Sequence, residues 1–206
     1  MLSVQSKKRL VLATRFLKTC TKKRVTSIEL GKALGATSVL IRHDISAIGF
    51  SGGVSNGYEC KDLLTAIFRF LGLDEAVGML CCIAGLGKLG EALLDTDMFF
   101  GTPYKIVAGF DTSVNRTEIL HARFPLYPAS RLESIVREKK IAFALLTSKN
   151  DEALFFAKKL SDAGILGIVN YTEVLLPVSE NVHVENVSPR IALDMLSAKM
   201  MTTAKS

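Results

Sequence analysis

The sequence has no apolar run of the roughly 18 to 20 residues needed to span a bilayer, so no membrane is expected among its partners. Near the N-terminus Lys7, Lys8 and Arg9 supply charge, but no apolar stretch with a small-residue cleavage site follows. No secretory signal is therefore evident, and a cytoplasmic location is expected. Cysteine is scarce: Cys20, Cys60, Cys81 and Cys82 are the whole set, and none shows C-x-x-C spacing. Cys81 and Cys82 adjoin within a strand-like run, where neighbours point to opposite faces, so they do not bridge. Reduced, buried thiols are the expectation. Histidine is limited to His43, His121 and His183, and none sits in a stretch that looks catalytic. No metal-ligand cluster appears either, so neither a metal site nor an enzyme is expected.

What is present is an ordered globular composition, 49% hydrophobic and 22% charged over 206 residues, enough for one large or two small domains. The charge is unevenly placed. Residues 1–78 hold 12 Lys/Arg against 6 Asp/Glu, whereas residues 79–206 hold 14 of each. From Lys7 to Arg24 there are eight basic residues and no acid. Such a run is often only a solvated helix face. Beside a compact helical motif it is the electrostatic footprint of a DNA-binding domain.

The periodicity supplies that motif. Leu10, Ala13, Leu17 and Cys20 recur at helical spacing, which predicts a helix over about Ser6–Thr19. Thr26-Ser27-Ile28-Glu29 has the form of a capping box opening a short helix, "SIELGKAL", that stops at Gly35. Thr37 or Ser38 can cap a further helix, "SVLIRHDISAI", closed by Gly49. Two helices joined by a short glycine turn are a helix-turn-helix. In the second, Ile41, Ile45 and Ile48 form an inward stripe, and Val39, Arg42, His43 and Ser46 fall opposite. Arg42 is the donor a recognition helix needs, because its fork reaches guanine edges or phosphate. "FSGGVSNGYEC" then carries the glycines and Asn-Gly pair of a hairpin, which predicts a wing. "DLLTAIFRFLGL" reads as a linking helix.

From Met79 onward strands and helices alternate, which implies a doubly wound, mostly parallel α/β sheet. "CCIAGLGKLGEALL" is strand, Gly85-x-Gly87-x-x-Gly90 and helix in succession, the phosphate cradle of dinucleotide-binding folds. Gly85 makes the tight turn, Gly87 admits a pyrophosphate, and Gly90 allows close helix–strand packing. Asp111 ends the second strand, 26 positions after Gly85, where ribose hydroxyls should lie; its charge favours NAD(H) over NADP(H). A small Rossmann oxidoreductase and an acyl-CoA-binding module are the alternatives. No room for a substrate domain remains after the sheet and its helices.

A basic winged helix joined to a Rossmann domain resembles the Rex family of redox-sensing transcriptional repressors, over nearly the whole chain. "RLVLATRFL" is similar to that family's opening helix, with Val11 and Ala13 where a proline and a tyrosine are usual. "TSIELGKALGATSVLIRHDIS" is similar to its helix-turn-helix, and "NGYE" to the close of its wing. "GLGKLGEALL", "IVAGFD", "FPLYP", "LLTS", "GILGIVNY" and the "NV" before the last helix follow in the family's order. The resemblance implies domains at 1–78 (winged helix) and 79–187 (Rossmann), then a swapped C-terminal helix and tail at 188–206. It implies NAD(H) held by Gly85, Leu86, Gly87, Lys88, Leu89, Gly90, Asp111, Thr147, Asn170 and Tyr171. Palindromic double-stranded operator DNA would meet Lys7, Lys8, Arg9, Ser27, Thr37, Ser38, Arg42, His43 and Ser46. It further implies a homodimer with the C-terminal helix, about Ser188–Met201, packed on the partner subunit. Reduced cofactor would close the dimer and release the operator.

The chain departs from the family where nicotinamide state is thought to be coupled to closure. By position a usual tyrosine is Thr96 and a usual aspartate is Ser188, so Arg9 stands without its expected acidic partner. A weakened redox response follows, or an answer to a different adenine nucleotide, unless Asp95, Asp97 or Asp194 replaces the missing acid.

Overall fold

A computed structural model of the chain describes residues 2–52, 56–177 and 180–203. The chain divides into two compact units, Met1–Val77 and Gly78–Ser206.

In the first unit, α1 spans Val4–Thr19, two residues earlier than its apolar stripe suggests. The Ser3 hydroxyl accepts from the Ser6 N–H and so fixes the start upstream of the stripe. β1 (Arg24–Val25) leads to α2 (Ser27–Leu34), whose Thr26–Glu29 capping box is complete. α3 (Ser38–Ala47) is capped by the Thr37 hydroxyl. β2 (Tyr58–Glu59) precedes α4 (Cys60–Leu71). The strand partner of β2 is β1, antiparallel, with Arg24 opposite Glu59 and Val25 opposite Tyr58. The hairpin expected within "FSGGVSNGYEC" is therefore revised: its second strand pairs with a segment ahead of α2. Residues 53–55 of that stretch lie outside the described residues. Leu10, Leu17, Leu30, Ile41, Ile45, Leu63 and Ile67 close one apolar core.

The second unit alternates β3 (Met79–Ala84), α5 (Lys88–Ala92), β4 (Tyr104–Asp111), α6 (Val114–Ile119), β5 (Leu126–Pro128), α7 (Leu132–Lys139), β6 (Phe143–Leu146), α8 (Asn150–Asp162), β7 (Gly167–Asn170) and β8 (His183–Asn186). The sheet order is β5-β4-β3-β6-β7-β8 with every pair parallel. That is the dinucleotide-fold order, reversing between β3 and β6, and ligands of such sheets lie at the strand C-termini of that reversal. One face is covered by α7 and α8 through Leu132, Ile135, Phe156 and Leu160. On the other face Ile83, Leu86, Leu93 and Leu94 gather a smaller cluster. Beside it an open groove of about 410 Å³ is lined by Tyr104, Phe143, Leu145, Ile168 and Val184 among others. α9 (Pro189–Thr203) follows. Its described side chains are exposed all along, including Ile191, Leu193, Met195, Leu196 and Met200.

Candidate functional site

The glycine turn leaves the C-terminal end of β3 at the reversal point, and its three glycines differ in what demands them. At Gly85 φ is +94°, and a Cβ would lie 2.4 Å from the Ser148 backbone. A Cβ at Gly90 would lie 2.0 Å from the Gly85 carbonyl oxygen. Both are required by the chain's own packing. A Cβ at Gly87 would meet nothing within 4 Å, and its φ of −66° suits any residue. What glycine preserves there is open space against the backbone, as a pyrophosphate needs. The first bond inside α5 runs from the Glu91 N–H to the Gly87 carbonyl. The N–H groups of Gly87, Lys88 and Leu89 thus have no acceptor within the helix. Lys88 and Leu89 are exposed beside them.

The other expected cofactor residues frame this turn. The Thr147 hydroxyl, at the end of β6, donates to the Gly85 carbonyl at 2.6 Å, and the Thr147 N–H donates to Ala84. Leu86 is fully buried, and its N–H donates to Asp111 Oδ2 at 2.7 Å. Asp111 Oδ1 accepts from the Ser113 N–H at 2.8 Å, and Arg116 stands 3.8 Å away. Asp111 is only 3% exposed. Its two oxygens hold the turn and the start of α6. Asn170, at the end of β7, is held by its own surroundings. Its amide donates to the Val174 carbonyl and to Asn186, and its oxygen accepts from the Thr172 N–H and hydroxyl. Tyr171 is half-buried, its N–H bound to the Leu146 carbonyl.

In the first unit the outward face of α3 carries Val39, Arg42, His43 and Ser46, while Ile41 and Ile45 are buried. Arg42 reaches the Ser27 hydroxyl at 3.4 Å, which places the start of α2 and the middle of α3 on one surface. Lys7 and Lys8 are exposed on α1, and Ser38 is half-buried beside the exposed cap Thr37, whose hydroxyl accepts from the Leu40 N–H. Two ties were not visible in the sequence. Arg24 donates to the carbonyls of Asn56 and Gly57, fastening the wing base. Lys22 pairs with Glu29 on the surface, which draws the Glu29 carboxyl down to about 2.

Arg9 changes role. Its Nε donates to Asp44 Oδ2 at 2.7 Å and its Nη2 to Asp44 Oδ1 at 3.1 Å, a two-pronged pair between α1 and α3. Arg9 therefore has an acidic partner, and its fork is directed inward rather than toward phosphate. Burial pulls the Asp44 carboxyl up, but the hydrogen bonds and charge of Arg9, with Ser6, hold it below its ordinary range. Its place three residues after Ile41 and one before Ile45 was the only hint in the sequence that Asp44 faces inward.

At the expected coupling positions, the Thr96 hydroxyl accepts from the Met98 N–H within its own turn. Ser188 accepts from the Ile191 N–H and so caps α9, a service an aspartate would also perform. Asp95 and Asp97 are both bound by Arg123, at 2.8 and 3.3 Å. Among the described residues no cluster of His, Cys, Asp or Glu could hold a metal, and no helix is long and apolar enough to cross a membrane.

No protein-family model matches the chain. It is 34% identical over 183 residues to the redox-sensing transcriptional repressor Rex of Limosilactobacillus reuteri, covering 87% of this chain and 85% of that one. Against the Rex protein of Listeria monocytogenes it is 32% identical over 192 residues, 92% of this chain and 88% of that one. The crystal structure of RSP with NAD⁺ and operator DNA superposes with a TM-score of 0.87 at 27% identity, over 99% of this chain and 94% of that one. RSP with NADH gives 0.85 at 26% identity, covering 99% and 96%. A further RSP structure, described as a Rex-family repressor, gives 0.85 at 27%, covering 99% and 97%. These relatives are transcriptional repressors, not enzymes. By identity along most of its length, the chain belongs to the Rex family of redox-sensing transcriptional repressors.

Proposed function

We propose that this protein is a cytoplasmic, homodimeric repressor that binds a palindromic operator through its winged-helix unit and NAD(H) at the glycine turn. The observation that carries the reading is Gly87: at the reversal point of the sheet, the chain keeps a glycine that its own packing does not require. Gly87, Lys88 and Leu89 would hold the pyrophosphate, and Gly85, Gly90, Thr147 and Asp111 would keep the turn in shape. The dinucleotide supplies a nicotinamide whose redox state is the signal. The α9 helix leaves Ile191, Leu193, Met195, Leu196 and Met200 exposed, apolar surface that calls for cover. A second copy would supply that cover, and sedimentation equilibrium should give twice the monomer mass.

Two half-sites one helical turn apart demand a rigid two-fold dimer. Arg42, His43 and Ser46 would enter the major groove, with Lys7 and Lys8 on phosphate. Arg42→Ala should cost about 1–3 kcal/mol at the operator. Lys7→Ala should weaken all sequences alike and flatten the salt dependence. Binding insensitive to Arg42 and to salt, measured by fluorescence anisotropy, would remove the repressor reading.

The redox response itself should be weak. Arg9 is committed to Asp44, Asp95 and Asp97 are committed to Arg123, and Ser188 carries no charge. A ligand shifts an equilibrium only by its differential interaction with two states. Loss of one charge-assisted contact, about 1.5–3 kcal/mol, reduces coupling roughly ten- to a hundredfold. NADH should therefore release operator less than about tenfold better than NAD⁺ at equal concentration. A larger ratio would mean that the switch is intact and that Asp194, or another group, closes it.

A further inference from the structure

We propose that Cys20 and Cys60 form an oxidisable dithiol, a modification site for hydroperoxides that weakens the winged-helix unit's hold on DNA. The two residues come from opposite ends of the motif. Cys20 ends α1 and Cys60 begins α4, 40 positions later, yet both border the same apolar core. Burial, and after it the neighbouring Cys20 thiol, push the Cys60 thiol up to about 11. Both line one cavity of about 680 Å³, whose wall also holds Lys18, Lys22, Lys23 and Lys61. Cys20 is half-buried at this opening and Cys60 is buried behind it. The arrangement separates an attacking sulfur, which solvent reaches, from a resolving sulfur protected until it is needed.

The other two cysteines do not face one another. Cys81 and Cys82 are both buried in the middle of the sheet, on opposite faces of β3. Burial pushes the Cys81 thiol up to about 11, as it does that of Cys60, and Cys81 also borders the open groove, so what it lacks is a partner thiol. They serve as internal controls.

The chemistry balances with a hydroperoxide as the two-electron oxidant. The Cys20 sulfur, as thiolate, attacks one peroxide oxygen. An S–O bond forms, the O–O bond breaks, and the departing oxygen takes a proton to leave as water. The resulting sulfenic acid is then attacked by the Cys60 sulfur. An S–S bond forms, the S–O bond breaks, and hydroxide leaves with the Cys60 proton as a second water. Ammonium groups at the cavity wall favour the negative charge that develops on the leaving oxygen in each step.

The consequence for DNA follows from topology. A bond between these sulfurs closes a loop that contains α2, α3 and β2, the whole reading apparatus. Bringing the two sulfurs to about 2.05 Å draws the start of α4 toward the end of α1. Cys60 directly follows Glu59, whose partner in the strand pair is Arg24, and Arg24 holds the wing turn. The displacement is therefore delivered to the base of the wing.

This consequence rests on the DNA-binding reading, whereas the cross-link does not, so the two can fail separately. Full-length protein, reduced and desalted, would be treated with hydrogen peroxide, alkylated under denaturing conditions and mapped by mass spectrometry. The peptides bearing Cys20 and Cys60 should be joined and two hydrogens lighter, with Cys81 and Cys82 alkylated. Operator affinity by anisotropy should fall about tenfold, the size of effect a single mismatched base pair has, and recover with dithiothreitol. Cys20→Ser should abolish both changes, and Cys60→Ser is the second variant should burial make either one sensitive. Thiols that persist at both positions, separate over-oxidation, or a cross-link that leaves operator affinity unchanged would overturn the proposal. Failure of the untreated protein to bind operator would count against the repressor reading, and the cross-link would then decide the dithiol alone.

Discussion

Gly87→Val should abolish dinucleotide binding and leave the fold intact. The position has φ −66° and ψ −170°, an extended conformation that valine prefers, and no chain atom lies within 4 Å of the added Cβ. The branched side chain would fill the space over the N–H groups at the head of α5. Losing two charge-assisted hydrogen bonds to pyrophosphate weakens binding about a hundredfold or more. Thermal unfolding should stay within a few degrees of the parent. Gly90→Ala is the contrasting variant. Its methyl would sit 2.0 Å from the Gly85 carbonyl oxygen and 2.9 Å from the Thr147 hydroxyl, so the turn itself must move. Overpacking of this kind costs about 3 kcal/mol. NADH fluorescence and circular dichroism on both proteins distinguish a ligand-facing glycine from a packing one. Retained cofactor binding by Gly87→Val, with an unchanged spectrum, would show that the phosphate site is elsewhere.

Arg9→Ala should destabilise the first unit by about 3 kcal/mol, a large share of the stability of a unit this size. The substitution leaves the Asp44 carboxylate, 2% exposed, with a buried charge and only lesser partners such as Ser6. Asp44→Asn should cost less, because the side chain stays in place and can still accept one Arg9 hydrogen bond. The pH dependence has a definite sign. A carboxyl held below its ordinary range stabilises the fold fully above the unfolded value, about 3.9 for aspartate. That contribution is lost as pH falls from there through the lower folded value. Urea unfolding of the parent should therefore weaken below about pH 4, and Arg9→Ala should flatten this slope. An Arg9→Ala protein as stable as the parent at pH 7 would mean that the pair does not hold α1 to α3.

Whatever depends on neighbours in the chain was legible from the residues alone. The Thr26–Glu29 capping box opened α2 at Ser27 and Gly35 closed it, as the local hydrogen-bonding groups demand. The isoleucine stripe of α3 faced inward, because helical spacing decides which side chains share a face. Met79–Ala84, the glycine turn and the acid ending the next strand stood in the predicted order, and the charge imbalance marked the N-terminal segment as basic. What the sequence could not reveal is who meets whom across 25 to 62 residues. Arg9 reads as a surface cation until packing turns it onto Asp44, and the bond from the Leu86 N–H to Asp111 appears only when the turn folds back. The Thr147 hydroxyl donates to the Gly85 carbonyl, 62 positions away, a tie that no local pattern announces. Cys20 and Cys60 look unrelated in sequence and share a cavity in the structure. The strand pairing of the wing was misplaced for the same reason: a two-residue strand has no periodicity of its own, and its partner was fixed only when α1 and α4 packed together. Local geometry is written in steric and hydrogen-bonding rules that span about four residues. Burial and pairing of polar groups are settled by the free energy of the assembled core, so only the tertiary structure decided them.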